Sequence, residues 1–546
     1  MTSLDLLHLN RRQFVAGAGA ASLSAALPFS SPDSTVAATS AIQAENQTLR
    51  FIWLGDMTPL WHPAAYHTFG QAVIYTLIFN NLIKLDEDLI TVLPDLAESW
   101  EVSDDATQFT FKLRQGVTWH DGTPFTAADV VFTFSRQLLE PYRFAKFMDV
   151  LQGADEYIAG TADSVSGLVA TDDLTVQMTL KEPNALFLLS LAEPGTVIVP
   201  QHLLQETAPD TVESAAFVTS SPIGTGPYKF VQYATDQYVE MTVNESYFKG
   251  APSIKQIFMV RVQPDVAIAQ LETKEVQLAL RVSATERERL EADTGLQVIA
   301  MAGVGLTGLY FPTDLPRMSD KRVRQGIYHA IDRQGIIDAV FLGQAEAAKG
   351  NPPAMDDYEG LNPYEYNPDK AKALLEEAGF DFGTPVRIIY DQSYPNAPQY
   401  YPLIGQMLQD IGLTVELNAL DSVAFTERLQ NDRESWEIGG FHGGAWGLGP
   451  HAVDDYFDCE EPFRSGYTNC EVDALFAEAK TLVDPAARDA KYQEVAKILN
   501  DEVAVVSLWA PFDVHAAVTG LGGGFSIYRD PRRSFTDIET WTLSES

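Results

Sequence analysis

Two stretches in the second half of the chain leave little freedom about the architecture they belong to. In "NPDKAKALLEEAGF" (367–380), Pro368 stands at the first position of a helix and Gly379 just past its end, while Ala371, Leu374, Leu375 and Ala378 share one face. "PLIGQMLQDIGLTVEL" (402–417) repeats the scheme: Leu403, Met407, Leu408 and Ile411 line a helix, Gly412 stops it, and a strand follows. A further helix starts at Asp484 and Pro485 and leads into the apolar strand "VAVVSLW" (503–509). A helix with one apolar stripe must lay it on a partner, and strands alternating with such helices supply the sheet that receives it. This half is therefore read as an α/β domain.

The first half is written differently. "TLRFIW" (48–53) reads as an entering strand, and three later segments alternate apolar and polar residues with a period of two. They place Phe109, Phe111 and Leu113 on one face, then Val176, Met178 and Leu180, then Val239, Met241 and Val243. Between the first two, Thr126 and Asp129 have the spacing of a capping box, and Val130, Phe134 and Leu138 recur every fourth residue, which predicts an amphipathic helix. The turn "SSPIGTGPY" (220–228) and the glycines of "GVGLTG" (303–308) mark candidate boundaries. The second matches G-x-G-x-x-G in form only, because "LYF" after it reads as a strand where a dinucleotide site needs a helix N-terminus.

At 546 residues the chain exceeds one core, since domains run to roughly 100–200 residues. Its 75 acidic against 37 basic residues give a formal charge of −38, a field that repels phosphate backbones, so no nucleic-acid partner is expected. Arg11 and Arg12, ahead of a moderately apolar stretch from Phe14 to Leu27 and a run of small residues, predict a twin-arginine export signal over 1–38 and passage through the twin-arginine translocase. Export to an oxidising compartment makes a disulfide the expected state of Cys459 and Cys470, with a two-cysteine metal site as the alternative. No H-E-x-x-H, G-x-S-x-G or P-loop pattern occurs, and the spacing of His442 and His451 does not by itself build a metal site. No catalytic residue, metal or cofactor is assigned.

The segment Leu93–Arg136, "LPDLAESWEVSDDATQFTFKLRQGVTWHDGTPFTAADVVFTFSR", resembles the signature region of the bacterial extracellular solute-binding proteins of the dipeptide, oligopeptide and nickel type. "PIGTGPYKF" (222–230), "DKRVRQGIYHAIDRQGI" (320–336), "AKALLEEAGF" (371–380) and "QMLQDIGLTVEL" (406–417) are similar to that family's recurring blocks, in its order. The resemblance implies a periplasmic binding protein type II-like α/β fold, two lobes joined by two crossover strands with an extra domain inserted in the first lobe. Residues 45–78, 222–305 and 505–546 would form lobe I, 79–221 the insert, and 306–504 lobe II, with "GLYFPTD" and "VVSLWAP" as crossovers. It implies a soluble, monomeric periplasmic protein, not an enzyme, that closes on a solute and delivers it to the permease subunits of an ABC transporter. His120 and Asp121 of "HDGTPFT" fall in the insert and are read as a turn and helix cap.

In the dipeptide-binding relatives, one loop reads W-x-x-D-x-x-D-P-x-x-F, and its first aspartate holds the peptide's amino group. Here Trp446 is followed by Gly447, Leu448 and Gly449, and only Asp454 and Asp455 remain. The relatives' arginine for the ligand carboxylate has no counterpart in "DQSYPNAPQYYP" (391–402). A free terminus without a charge-assisted partner loses a few kcal/mol on desolvation, so a simple dipeptide is disfavoured. Trp61, Tyr66, Phe69, Tyr394 and Trp446 as flat faces, with His442, His451, Asn396 and Asp454 as polar partners, suit an oligopeptide, a sugar or another polar organic solute. By position, "PAAYHTFGQ" (63–71) adds His67 and Thr68 to the stretch that carries Tyr66 and Phe69. An oligosaccharide- or metal-complex-binding member, a periplasmic hydrolase or transferase on the same scaffold, and a chemoreceptor adaptor stay open as alternatives.

Overall fold

The structure is a computed structural model and describes residues 47–53, 61–62, 69–140, 145–349, 355, 358–444, 454–459 and 465–544. The expected signal over 1–38 lies outside them. The chain enters through β1 (Thr48–Trp53), whose Phe51 and Ile52 are fully buried, followed by the helix Phe69–Ile78. It then builds the hairpin β2 (Ile83–Leu85) and β3 (Val92–Pro94), and a four-stranded antiparallel sheet of β4 (Ala97–Val102), β5 (Gln108–Leu113), β6 (Leu168–Asp172) and β7 (Thr175–Thr179), in the order β4-β5-β7-β6. The predicted alternation is realised there: Phe109, Phe111 and Leu113, with Val176 and Met178 from β7, are buried on one face. Each such side chain removed from water contributes about 1.5–3 kcal/mol. The helix Ala127–Gln137 lays Val130 and Phe134 on the same core, and its first turn is closed by the Asp129 carboxylate accepting from the Thr126 N–H at 3.0 Å.

The main sheet follows from β8 (Tyr228–Ala234), β9 (Tyr238–Val243), β10 (Gln256–Val260), β11 (Leu278–Val282), β12 (Leu296–Ala302), β13 (Gly305–Tyr310), β14 (Ala345–Ala347), β15 (Val386–Asp391), β16 (Val415–Leu420), β17 (Ile438–Gly444) and β18 (Val505–Val518). Its path is β16-β15-β17-β13-β18-β11-β1-β10-β9-β8, with β12 and β14 also paired to β18. The long strand β18 is the spine of the molecule. Val506, Leu508 and Trp509 lie in a core with Leu309, Tyr328 and Tyr400, whereas Val514, Ala516 and Val518 lie in a core with Phe51, Met259 and Trp541. One strand thus belongs to two cores, and β13 beside it, with Thr307 opposite Trp509, is the second link. The family's two-lobed type II-like arrangement, with the β4–β7 sheet as an added module, is the architecture observed.

Helix boundaries in the second half follow the punctuation. Asn367 and Asp484 cap Pro368–Glu377 and Pro485–Glu502 with their side chains, and Gly412, at φ 100°, ends Ala397–Asp410 in backbone space that glycine occupies without strain. The expected face of this last helix holds at Met407, Leu408 and Ile411 but not at Leu403. The helix begins at Ala397, ahead of Pro402, so Tyr400, Tyr401, Ile404 and Leu408 form the buried stripe and Leu403 is exposed. Two large rings one turn before the predicted stripe bury more apolar surface than Leu403, and they set the rotation of the helix.

In the insert, His120 and Asp121 do work as a turn. The Asp121 carboxylate accepts from the Thr123 N–H, and the imidazole contacts the loop at the predicted boundary, through Nε2 to the Gly226 carbonyl (3.0 Å) and Nδ1 to the Gly224 N–H (3.3 Å). Burial pushes His120 down to about 4, so the ring is neutral and structural at ordinary pH.

Candidate functional site

The two cores meet along β13 and β18, and the side chains projecting at that junction form the site. On the lobe II side, β15 ends at Asp391 and the chain turns through Ser393 and Tyr394 into the helix Ala397–Asp410. Burial pushes the Asp391 carboxyl up, but the Ser393 and Ser422 hydroxyls and the Ser393 N–H donate to it and hold it below the ordinary carboxylate range. That clasp fixes the turn and with it the Tyr394 ring, which stacks on His442 of β17 at 3.7 Å between centroids and 15° between planes.

Behind this pair the Tyr400 hydroxyl lies 3.3 Å from Nε2 of His442, and the Tyr400 ring packs edge-on against Trp509 at 5.1 Å. Burial lowers His442 to about 3, with Asp391 pulling the other way. The imidazole is therefore a neutral plate, and the Tyr394–His442 stack is a flat platform without charge. The Tyr394 hydroxyl sits beside Thr307 of β13; burial raises its pKa, and the charges of Arg281 and Asp513 act on it in opposite senses.

Those two charges stand on strands whose Leu280 and Val514 lie in the core with Phe51 and Trp541. Arg281 on β11 pairs with Asp513 on β18 at 2.9 Å, the arginine 42% and the aspartate 16% exposed. The site thus opposes an aromatic, uncharged wall to an ion pair. Gln344 closes one end, accepting from the Arg287 guanidinium across the junction at 2.9 Å. Far from the hinge, the Ala185 N–H of the insert donates to the Lys480 carbonyl of the helix Cys470–Thr481 at 2.7 Å, while the Lys480 ammonium pairs with Asp454 at 2.5 Å.

Of the residues singled out from the sequence, the structure brings Tyr394 and His442 into contact. Asn396 is exposed at the start of the same helix, in left-handed backbone (φ 63°). Asp454 is held by Lys480 in an ion pair away from the Tyr394–His442 stack. Cys459 and Cys470 are joined, with Cα atoms 5.1 Å apart, which ties the end of the glycine-rich loop to the start of the helix Cys470–Thr481. Trp61 is corrected: it is 1% exposed and packs on Phe230 and Tyr233, its faces taken up by the core of lobe I. A large aromatic beside an apolar sheet gains more from that core than from a wet cleft. Tyr66, His67, Thr68, Trp446 and His451 lie outside the described residues, as does the side chain of Phe69.

Sequence reasoning missed Arg281, Thr307, Trp509 and Asp513. A signal for the last was present: Asp513 and His515 recur with period two inside an otherwise apolar strand, a pattern that places polar groups on one face of a buried element. Among the described residues no cluster of three or more His, Cys, Asp or Glu could hold a metal ion, and no helix is long and apolar enough to cross a membrane.

The model of the bacterial extracellular solute-binding proteins, family 5, matches residues 91–459. A Brucella ovis chain with the provisional name ABC transporter peptide-binding protein is 30% identical over 473 residues, 83% of this chain and 84% of that one. Heme-binding protein A of Haemophilus influenzae is 28% identical over 515 residues, 88% of this chain and 90% of its own. Among solved structures, the ABC transporter substrate-binding protein CtaP of Listeria monocytogenes superposes with a TM-score of 0.78 at 25% identity, covering 91% of this chain and 99% of CtaP. The relatives are transport-associated binding proteins, and a substrate-binding role for an ABC importer follows from that membership. The chain belongs to the bacterial extracellular solute-binding proteins, family 5.

Proposed function

We propose that this importer component takes up oligopeptides, held between the Tyr394–His442 platform of lobe II and the Arg281–Asp513 pair of lobe I. The observation that carries the reading is the pairing of a neutral stacked platform with an ion pair on opposite sides of one junction. An aromatic plate accepts many side chains and the peptide plane with little demand for identity, while fixed charges orient a polar backbone. The Brucella relative's name points to peptides, whereas the Haemophilus relative is named for heme, so the cleft of this chain has to decide the ligand.

In this reading, lobe I comprises 45–78, 222–305 and 505–546, the insert 79–221, and lobe II 306–504. A ligand touching both lobes gains part of its contacts only when they approach, so binding shifts the open–closed equilibrium by its differential affinity. The closed form is what the permease reads. The twin-arginine signal delivers a soluble monomer to the periplasm, and the protein performs no chemistry on its cargo.

Isothermal titration with peptides of two to six residues, oligosaccharides, heme and nickel–histidine complexes tests this, with chromatography of the cargo after long incubation. Tri- to hexapeptides are expected to bind at least tenfold more tightly than dipeptides and to be recovered intact. Tight binding only of a sugar or metal complex, or conversion of the peptide, overturns the reading.

A further inference from the structure

The stretch 391–402 has no lysine or arginine, yet the junction beside Tyr394 carries a cation in an unusual backbone setting. Arg281 has a positive φ of 56°, an unusual conformation for a residue with a Cβ. The register between β11 and β18 shifts between Ala279 and Val282, so Arg281 sits on a bulge, the device by which a strand re-aims one side chain. Its backbone N–H is received by Nδ1 of His515 at 3.3 Å. That imidazole is 1% exposed, and its Nε2 has no hydrogen-bond partner among the described residues. A buried polar group that is left unsatisfied is tolerated where position matters more than stability.

The guanidinium is then held by Asp513 through Nε at 2.9 Å, and Asp513 packs against the backbone of Gly303. A Cβ on Gly303 would lie 2.7 Å from the Asp513 carboxylate. Strained backbone, bulge, histidine brace and glycine cradle all serve one arginine that stays 42% exposed. In a chain with 75 acidic residues the general field repels anions, so a ligand carboxylate needs a local cation fixed in advance.

Resting on the peptide reading above, we propose that Arg281 receives the ligand's C-terminal carboxylate, with Asp513 and His515 as positioning residues. Arg281 thereby selects peptides with a free C-terminus.

The test compares tri- to penta-alanine peptides with their C-terminal amides by calorimetry on the whole exported chain. The wild type should prefer the free acids by about tenfold or more, the scale of a lost charge-assisted hydrogen bond. Arg281→Gln should abolish that preference by weakening the acids at least about tenfold more than the amides, while Arg281→Lys should retain part of it. Arg281→Gly removes the guanidinium and relieves the positive φ, so it should lose the preference without loss of thermal stability. Equal binding of acids and amides by the wild type, or a preference that survives in Arg281→Gly, overturns the assignment and leaves peptide binding standing. Binding of neither acids nor amides overturns the peptide reading and the assignment with it.

Discussion

The two lobes present opposite chemistry to the space between them. Lobe II contributes rings: Tyr394 on His442, Tyr400 behind them, and Phe341 and Tyr400 against Trp509. Lobe I contributes charge, Arg281 with Asp513, braced by His515. The strand β18 carries both characters, apolar through Val505–Trp509 in one core and marked by Asp513 and His515 where it passes into the other. The difference teaches how such a cleft divides its work. A neutral plate grips without discrimination, an ion pair sets direction, and neither alone holds a ligand that spans both.

The largest test of that division is on β18 itself. Trp509 is fully buried between Phe341 and Tyr400, so Trp509→Ala is expected to cost about 3–5 kcal/mol in urea denaturation. Asp513→Ala, four residues on, removes one member of a pair whose arginine is well exposed, and it should cost about 1 kcal/mol or less. Similar losses for both would erase the distinction between an aromatic and a charged half.

A smaller effect concerns acid. In the unfolded chain histidine protonates near its ordinary value of 6.5, but burial lowers His442 and His62 to about 3 and His515 and His120 to about 4. Between those values the unfolded state binds more protons, so stability falls as pH falls through this window. Lobe II contributes His442 to this loss, while lobe I and the insert contribute His62, His515 and His120. Replacing His442 with Phe keeps a ring for Tyr394 and should recover roughly 1–2 kcal/mol at pH 5 relative to pH 7. Melting temperatures across that range measure it, and an unchanged slope would mean that His442 is not buried neutral.

The smallest effect is at the rim. Lys480→Met removes the ion pair with Asp454, in which the lysine is 41% exposed, and should change stability by less than about 1 kcal/mol. Its backbone contact with Ala185 survives that change, so Ala185→Pro, which deletes the N–H, is the informative variant. Peptide affinity should drop more in Ala185→Pro than in Lys480→Met. The reverse order would place the link between insert and lobe II in the ion pair.

Much of the scaffold was legible in the chain because its signals are local. Alternation named the buried faces of β5, β7 and β9, the Thr126–Asp129 spacing named a helix start, and Pro368 and Gly379 bracketed a helix, since each depends on residues a few positions apart. The family blocks then gave an order to these pieces. In the helix 397–410 only Leu403 departs from the expected face, because Tyr400 and Tyr401 ahead of it extend the core stripe. Trp61 likewise went to a core and not to a cleft, since an aromatic reads the same in either place.

Residue order by itself determined the alternating strands β5, β7 and β9, the helix starts at Thr126 and Pro368 and the ring-rich character of the segment around Tyr394, while the two-lobed plan came from the family resemblance. Only the tertiary structure decided that Arg281, Asp513 and His515 meet, and that the first two act on Tyr394. Those partners are far apart along the chain and are brought together by strand pairing and a bulge. Which charge lies beside which ring depends on register and burial across the sheet, and no local pattern encodes that.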